Sequence, residues 1–319
     1  ACNGVFSLAN SEISGDVDLN RVDVFGSLYA ADATIGGNIY LRDSRFNRIE
    51  STRRSFQARF EKESGSASQT NEFPPEVEAL LGANTAREWS RKWNSLSLFA
   101  ARVDGTLTIT DSEFTGLVFL GRSRLGELRM AGSFVDGKLD LWGATVTGPS
   151  FIGHGNSGAR QPGVTVTGEI HAWYATFDDL QMGNLWVGDK VVLKQAKIDG
   201  FFSVADTDIR GALWAEGLRA NMIHFTRTST TQADLRSSLI NGEFIVEASR
   251  IGKLTMVLAR MRGFSAYTAY TEDEQIRPES ECLSLVGSDE RPPVFGVSGE
   301  SRQGSIKHLR PNCFGSVDV

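Results

Sequence analysis

No stretch of about 18 consecutive apolar residues occurs in this chain of 319, so it contains no candidate membrane-spanning helix. A strong excess of either charge is also missing. Lys and Arg number 33 against 39 Asp and Glu, a formal −6. That balance argues against nucleic-acid binding through the phosphate backbone, which needs a basic surplus. It is also too mild for a strongly acidic nucleic-acid mimic. Histidine is scarce: His154, His171, His224 and His308 show no metal-ligand spacing with one another or with the cysteines. A G-x-S-x-G nucleophile elbow, a P-loop and a dinucleotide fingerprint are absent. The residues therefore name no catalytic, metal or cofactor site, and the sequence leans away from an enzyme.

Cysteine is nearly absent too. A bond between Cys282 and Cys313, closing a loop over the end of the repeats, would suit an exported protein. Free thiols in a cytosolic protein are the alternative. The opening "ACNG" places Ala before Cys2, as at the lipidation site of a bacterial lipoprotein, so Cys2 is a candidate lipid anchor for peripheral membrane attachment. An already removed signal peptide explains the same start equally well. The expected location is periplasmic or extracellular.

What is abundant is glycine, 33 residues against 8 prolines, and it recurs with a period. The phrase G-x-Φ-x-Φ-x-x-(small)-x-Φ begins at Gly4 and returns at Gly15, Gly26 and Gly37. It resumes near Leu96, runs through Gly105, Gly116, Gly126, Gly137 and Gly148, and continues from Gly168 to Gly263. Within a phrase the apolar residues alternate, as in Leu139-Asp140-Leu141, which means strand. Each phrase reads as two strands of two or three residues, with the glycine at a corner where a positive φ is affordable. Strands this short need partners above and below, and stacked coils supply them. Two phrases make a four-sided coil of about 21–22 residues. The predicted fold is an all-β, right-handed parallel β-helix of nine or ten coils, roughly 45 Å long at a strand spacing near 4.8 Å.

The pairs Ser112 and Phe114, Ser123 and Leu125, Ala144 and Val146, and Ala196 and Ile198 resemble the inward small and large residues of the pentapeptide-repeat proteins. The resemblance implies a square β-helix. It also implies scaffolding or protein contacts and, as in some members, duplex-DNA mimicry. The other half of each phrase departs from that family, with large residues at both inward places: Leu107 and Ile109, Leu139 and Leu141.

The boundaries follow from the repeat. Residues 1–46 are the first coils and 95–270 the remaining coils, with a short loop at 149–163. Residues 47–94 form an insertion, a charged excursion followed by a predicted helical hairpin carrying Trp89 and Trp93, a candidate docking element. Residues 271–319 lack the repeat and are expected to cap the open end of the helix.

Polysaccharide chemistry needs its own test, because larger β-helices degrade pectic chains. "GHG" at Gly153–Gly155 and "DD" at Asp178–Asp179 occur in the reverse of the order such an enzyme needs. "RIGK" at Arg250–Lys253 is not the required basic triplet, and no Asn-Thr-Asp exists. Coincidence explains these hits. On alternate phrases, however, the outward middle position holds Tyr29, Phe119, Asp140, His171 and Trp214. Two phrases per coil would line these up on one face, a candidate surface for sugar rings or a protein partner. The leading expectation is a non-enzymatic scaffold or accessory subunit. Its protein partners would be reached through the insertion, the tail or this aromatic face. A polysaccharide-binding or polysaccharide-degrading protein and a DNA-mimic inhibitor are the alternatives.

Overall fold

The computed structural model describes residues 2–3, 5–46, 94–153, 163–267, 281–286, 305–309 and 314–318, and among them every regular element is a β-strand. The second coil shows the plan. Its four sides are Leu28–Tyr29, Thr34–Ile35, Ile39–Arg42 and Arg45–Phe46. Each side pairs in parallel with its counterpart one coil on: Leu28 with Leu96, Ile35 with Val103, Ile39 with Leu107, Phe46 with Phe114. Along the first side, Phe6, Leu28, Leu96, Val118, Leu139, Ile170, Val191, Leu213, Ala233 and Leu254 form one column, one residue from each of ten coils. The chain is a parallel β-solenoid of four-sided coils.

The inside is a continuous apolar column. Leu107, Ile109, Leu139 and Leu141 are at most 1% exposed, and so are Ser112, Phe114, Ser123 and Leu125. A serine in this core would be costly without a partner. Ser123 Oγ donates to the Leu120 carbonyl at 2.7 Å, and Ser112 Oγ donates to Thr110 at 2.9 Å and to Leu41 at 3.0 Å. Toward the C-terminal end the column becomes aromatic: Phe202, Phe225, Phe244 and Phe264 succeed one another with centroids 6.0, 5.2 and 5.0 Å apart.

The corners correct the role expected of the phrase glycines. Among those described, only Gly116 and Gly137 have a φ in the positive range, 111° and 150°. The left-handed positions lie elsewhere, in turns such as Ala30 to Ala33, where the Ala33 N–H meets the Ala30 carbonyl and Asp32 has φ 55°. Asn10, Asp43, Asp111, Asn184 and Asp206 hold the same place, residue types that tolerate it best after glycine. The phrase glycines serve close approach instead. A Cβ on Gly105 or Gly168 would stand 2.8 Å from the carbonyl oxygen of Gly37 or Gly137, one coil back. Side chains there would pry the coils apart.

The strands also outgrow the expected two or three residues. Lys197–Ala205 and Leu239–Glu247 each run nine residues across two sides, with a register shift at the corner. A bulged corner lets the ladder continue where a turn would interrupt it. The tail adds strands at the end of the stack. Glu281–Val286 pairs antiparallel with Arg260–Tyr267 and with Ser305–Leu309, and Phe314–Asp318 pairs in parallel with Arg250–Thr255. The predicted helical hairpin, Trp89 and Trp93 lie outside the described residues.

Candidate functional site

Tyr29, Phe119, Asp140, His171 and Trp214 stand in one outward column on the first side. The column runs Ser7, Tyr29, Ser97, Phe119, Asp140, His171, Val192, Trp214, Asp234, Thr255. Outward here does not mean open to water. Tyr29 is 5% exposed, Ser97 0% and Asp140 9%, while Phe119, His171 and Trp214 are half-buried. The column is no exposed aromatic stripe, and its middle is polar.

Two flanking columns complete this face in coils five to nine. On one flank stand Lys138, Glu169, Lys190, Ala212 and Gln232, each directly preceding a paired core residue. On the other stand Trp142, Trp173, Lys194, Glu216 and Arg236, whose carbonyls accept successive backbone bonds from Arg122, Gly143, Tyr174, Gln195 and Gly217. Ion pairs cross from coil to coil. Lys138 Nζ lies 3.1 Å from Asp140 and 2.7 Å from Glu169, and Lys190 Nζ lies 3.3 Å from Glu169. His171 Nδ1 meets Asp140 Oδ1 at 3.2 Å, and the Trp142 N–H donates to the same oxygen at 2.9 Å. Further along, Lys194 pairs with Glu216 at 3.4 Å and Arg236 forks onto Asp234 at 2.8 and 3.0 Å.

Burial alone would push the Asp140 and Glu169 carboxyls up. For Asp140 the His171 bond, the Lys138 charge and the Trp142 N–H outweigh it; for Glu169 the two lysines do. Both pKa values therefore lie below the usual carboxylate range. Burial opposes the Lys138 ammonium, but Asp140 and Glu169 prevail and raise its pKa. All three groups are held in their charged forms across neutral pH.

The aromatic side chains divide into covered and open. The Arg122 guanidinium lies over the Trp142 ring at 4.5 Å, and Lys190 and Lys194 lie over Trp214 at 5.1 and 5.2 Å. Trp173 and Tyr174 are 38% and 52% exposed and stack on each other, centroids 5.2 Å apart and planes 12° from parallel, with the edge of His171 against Trp173. Sequence reasoning about the single middle position passes over this pair. The available signal was the recurrence of Trp two residues after Asp140 and again two after His171.

The other sides are organised differently. His224 lies on the third side, among Thr226, Glu247 and Phe201, so it does not converge with His171. The outward column of the second side runs Glu12, Thr34, Arg102, Arg124, Thr145, Thr176, Lys197, Arg219, Leu239 and Arg260, mostly basic among its charged residues. Among the described residues no three His, Cys, Asp or Glu side chains gather as a metal site. Cys2 pairs in register with Val24, Cys282 lies in Glu281–Val286 and His308 in Ser305–Leu309, while Cys313 and His154 are outside the described residues. In comparisons with known proteins, no family model, curated protein or solved structure matches this chain.

Proposed function

We propose that this chain is a non-enzymatic scaffold, a stiff rod that holds binding elements for partner proteins at fixed spacing along its coils. The observation that carries this reading is the ion-pair ladder of the first side. Its charged groups are spent on each other, from one coil to the next, and thereby brace the stack. A general acid or base works when its pKa sits near the operating pH. Asp140, Glu169 and Lys138 are shifted the opposite way, deeper into their ionised states. Such groups stiffen a surface and fix its pattern; they are poorly suited to exchanging protons.

The pentapeptide-repeat likeness supports the same reading, since it implies contact rather than catalysis. DNA mimicry is less well supported, because it calls for an acidic stripe and the second-side column carries five basic residues against one acidic, Glu12. Crosslinking by side tests the proposal. A photoreactive residue at position 194 on the first side should capture a discrete partner protein in a native extract. The same residue at position 203 on the third side should not. Equal capture from both sides, or none from either, would refute the scaffold reading. So would turnover of a substrate that is lost in His171→Ala.

A further inference from the structure

Beyond the scaffold reading, and independently of it, we propose that coils five to seven carry a binding site for a neutral glycan on the first side, with Trp173 and Tyr174 as its stacking platform. The first observation is the platform itself. The two rings stack on each other, so each shields one face of the other and the pair stays open at 38% and 52%, and the T-shaped contact of His171 with Trp173 braces it. The other exposed large apolar residues among those described, Val5, Phe6 and Leu258, are not aromatic pairs.

The second observation is where Tyr174 stands. Its backbone is left-handed, φ 58°, in a column whose neighbours are Gly143 at 62°, Gln195 at 54° and Gly217 at 69°. An aromatic residue there carries strain that glycine would not, and burial does not offset it, because the ring is half in water. Gly143 stands one coil before it and Gln195 one coil after; what Tyr174 adds at this place is an open ring.

Size and charge then select the ligand. An open ring face of the stacked pair matches one pyranose, whose axial C–H face stacks on an aromatic plane. They fall well short of the apolar core of a protein interface. Around them, Lys138, Lys190 and Lys194 are matched by Asp140, Glu169 and Glu216, and these groups are paired with one another. No net charge remains to recruit a polyanion or a polycation. Oxygen lone pairs and ammonium protons do remain to bond sugar hydroxyls. The ring faces of Trp142 and Trp214 are already covered by Arg122, Lys190 and Lys194. The platform therefore offers one stacked subsite with polar groups on either side.

The test is retention of the purified full chain on microcrystalline cellulose, chitin and xylan, with polygalacturonate and heparin as polyanions. Trp173→Ala and Tyr174→Gly should each weaken retention on a neutral polymer by about tenfold or more. Leu258→Gly should leave it unchanged, and added salt should affect it little. Tyr174→Gly also relieves the left-handed strain, so loss of binding with an equal or higher melting temperature cannot be misfolding. Failure to bind any neutral polymer, retention on polyanions alone, or indifference to both substitutions would overturn the proposal. The scaffold reading, tested by crosslinking, would survive each of these results.

Discussion

Gly126→Ala places a methyl group between two coils. Its Cβ would fall against the carbonyl oxygens of Asp104 and Gly105, the latter at 2.7 Å. Both belong to the backbone of the preceding coil, and neither can swing aside as a side chain can. Gly105 is held by its bond to the Gly37 carbonyl, and Gly148 bonds to the carbonyl of Gly126 itself at 2.7 Å. The corner must therefore open across several coils at once. Overpacking of this kind costs about 1–3 kcal/mol, and the reduced freedom of the unfolded chain returns about 0.4–1 kcal/mol. The net expectation is a loss centred at about 1.3 kcal/mol. Gly15 occupies the same phrase position in the first coil, but a Cβ there meets nothing within 4 Å and its φ is not positive. Gly15→Ala should thus stabilise its coil by about 0.4–1 kcal/mol. Urea unfolding of the full chain, with amide exchange resolved coil by coil because stacked repeats open in pieces, reads both. If the two substitutions destabilise alike, or Gly126→Ala is neutral, close stacking is not why the phrase carries glycine.

Three further outcomes follow from the same geometry. Leu258→Gly should raise stability by up to about 1 kcal/mol, because the left-handed penalty of about 1–2 kcal/mol at φ 58° exceeds the entropic cost of glycine; a lower melting temperature would contradict it. Phe244→Ala should cost about 3–5 kcal/mol by denaturant unfolding, since the ring is fully buried between Phe225 and Phe264. The third outcome concerns pH. Asp140 and Glu169, with lowered pKa values, contribute stability above the unfolded carboxylate pKa and lose it as pH falls through their folded values. Lys138, raised, contributes below the unfolded lysine pKa and loses it as pH rises through its folded value. Melting temperature should be level through neutrality and fall at both extremes, and Asp140→Asn should shrink the acid limb. An unaltered acid limb would place the effect on other carboxylates.

The fold was legible because its signal is periodic. Leu139 and Leu141, or Ser112 and Phe114, each repeat a rule that ten coils enforce, and a stretch where the phrase weakens, such as residues 221–240, cannot hide it. The glycine was legible as punctuation but not as chemistry. Its recurrence marks a corner whether the backbone needs a positive φ or the neighbouring coil needs room, and only the distance from Gly105 to Gly37 separates the two causes. The true left-handed positions escaped notice because Asp32, Arg122, Tyr174 and Leu258 share no side-chain type. What they share is a place one residue before the small inward position, a rule written in spacing alone.

The candidate face shows a different limit. Counting phrases puts Tyr29, Phe119, Asp140, His171 and Trp214 in one column, since register follows from period. Exposure does not follow from period. Tyr29 and Ser97 point outward and are nonetheless shielded, and Trp142 and Trp214 are roofed by cations contributed from neighbouring columns. Trp173 and Tyr174 stay open at 38% and 52%, while Lys194, next to Trp173 in its column, lies over Trp214 and Arg122 lies over Trp142. Which aromatic is available is thus decided by lateral competition for cations among three adjacent columns. A one-dimensional repeat records each column separately, and their cross-talk emerges only when the coils are stacked.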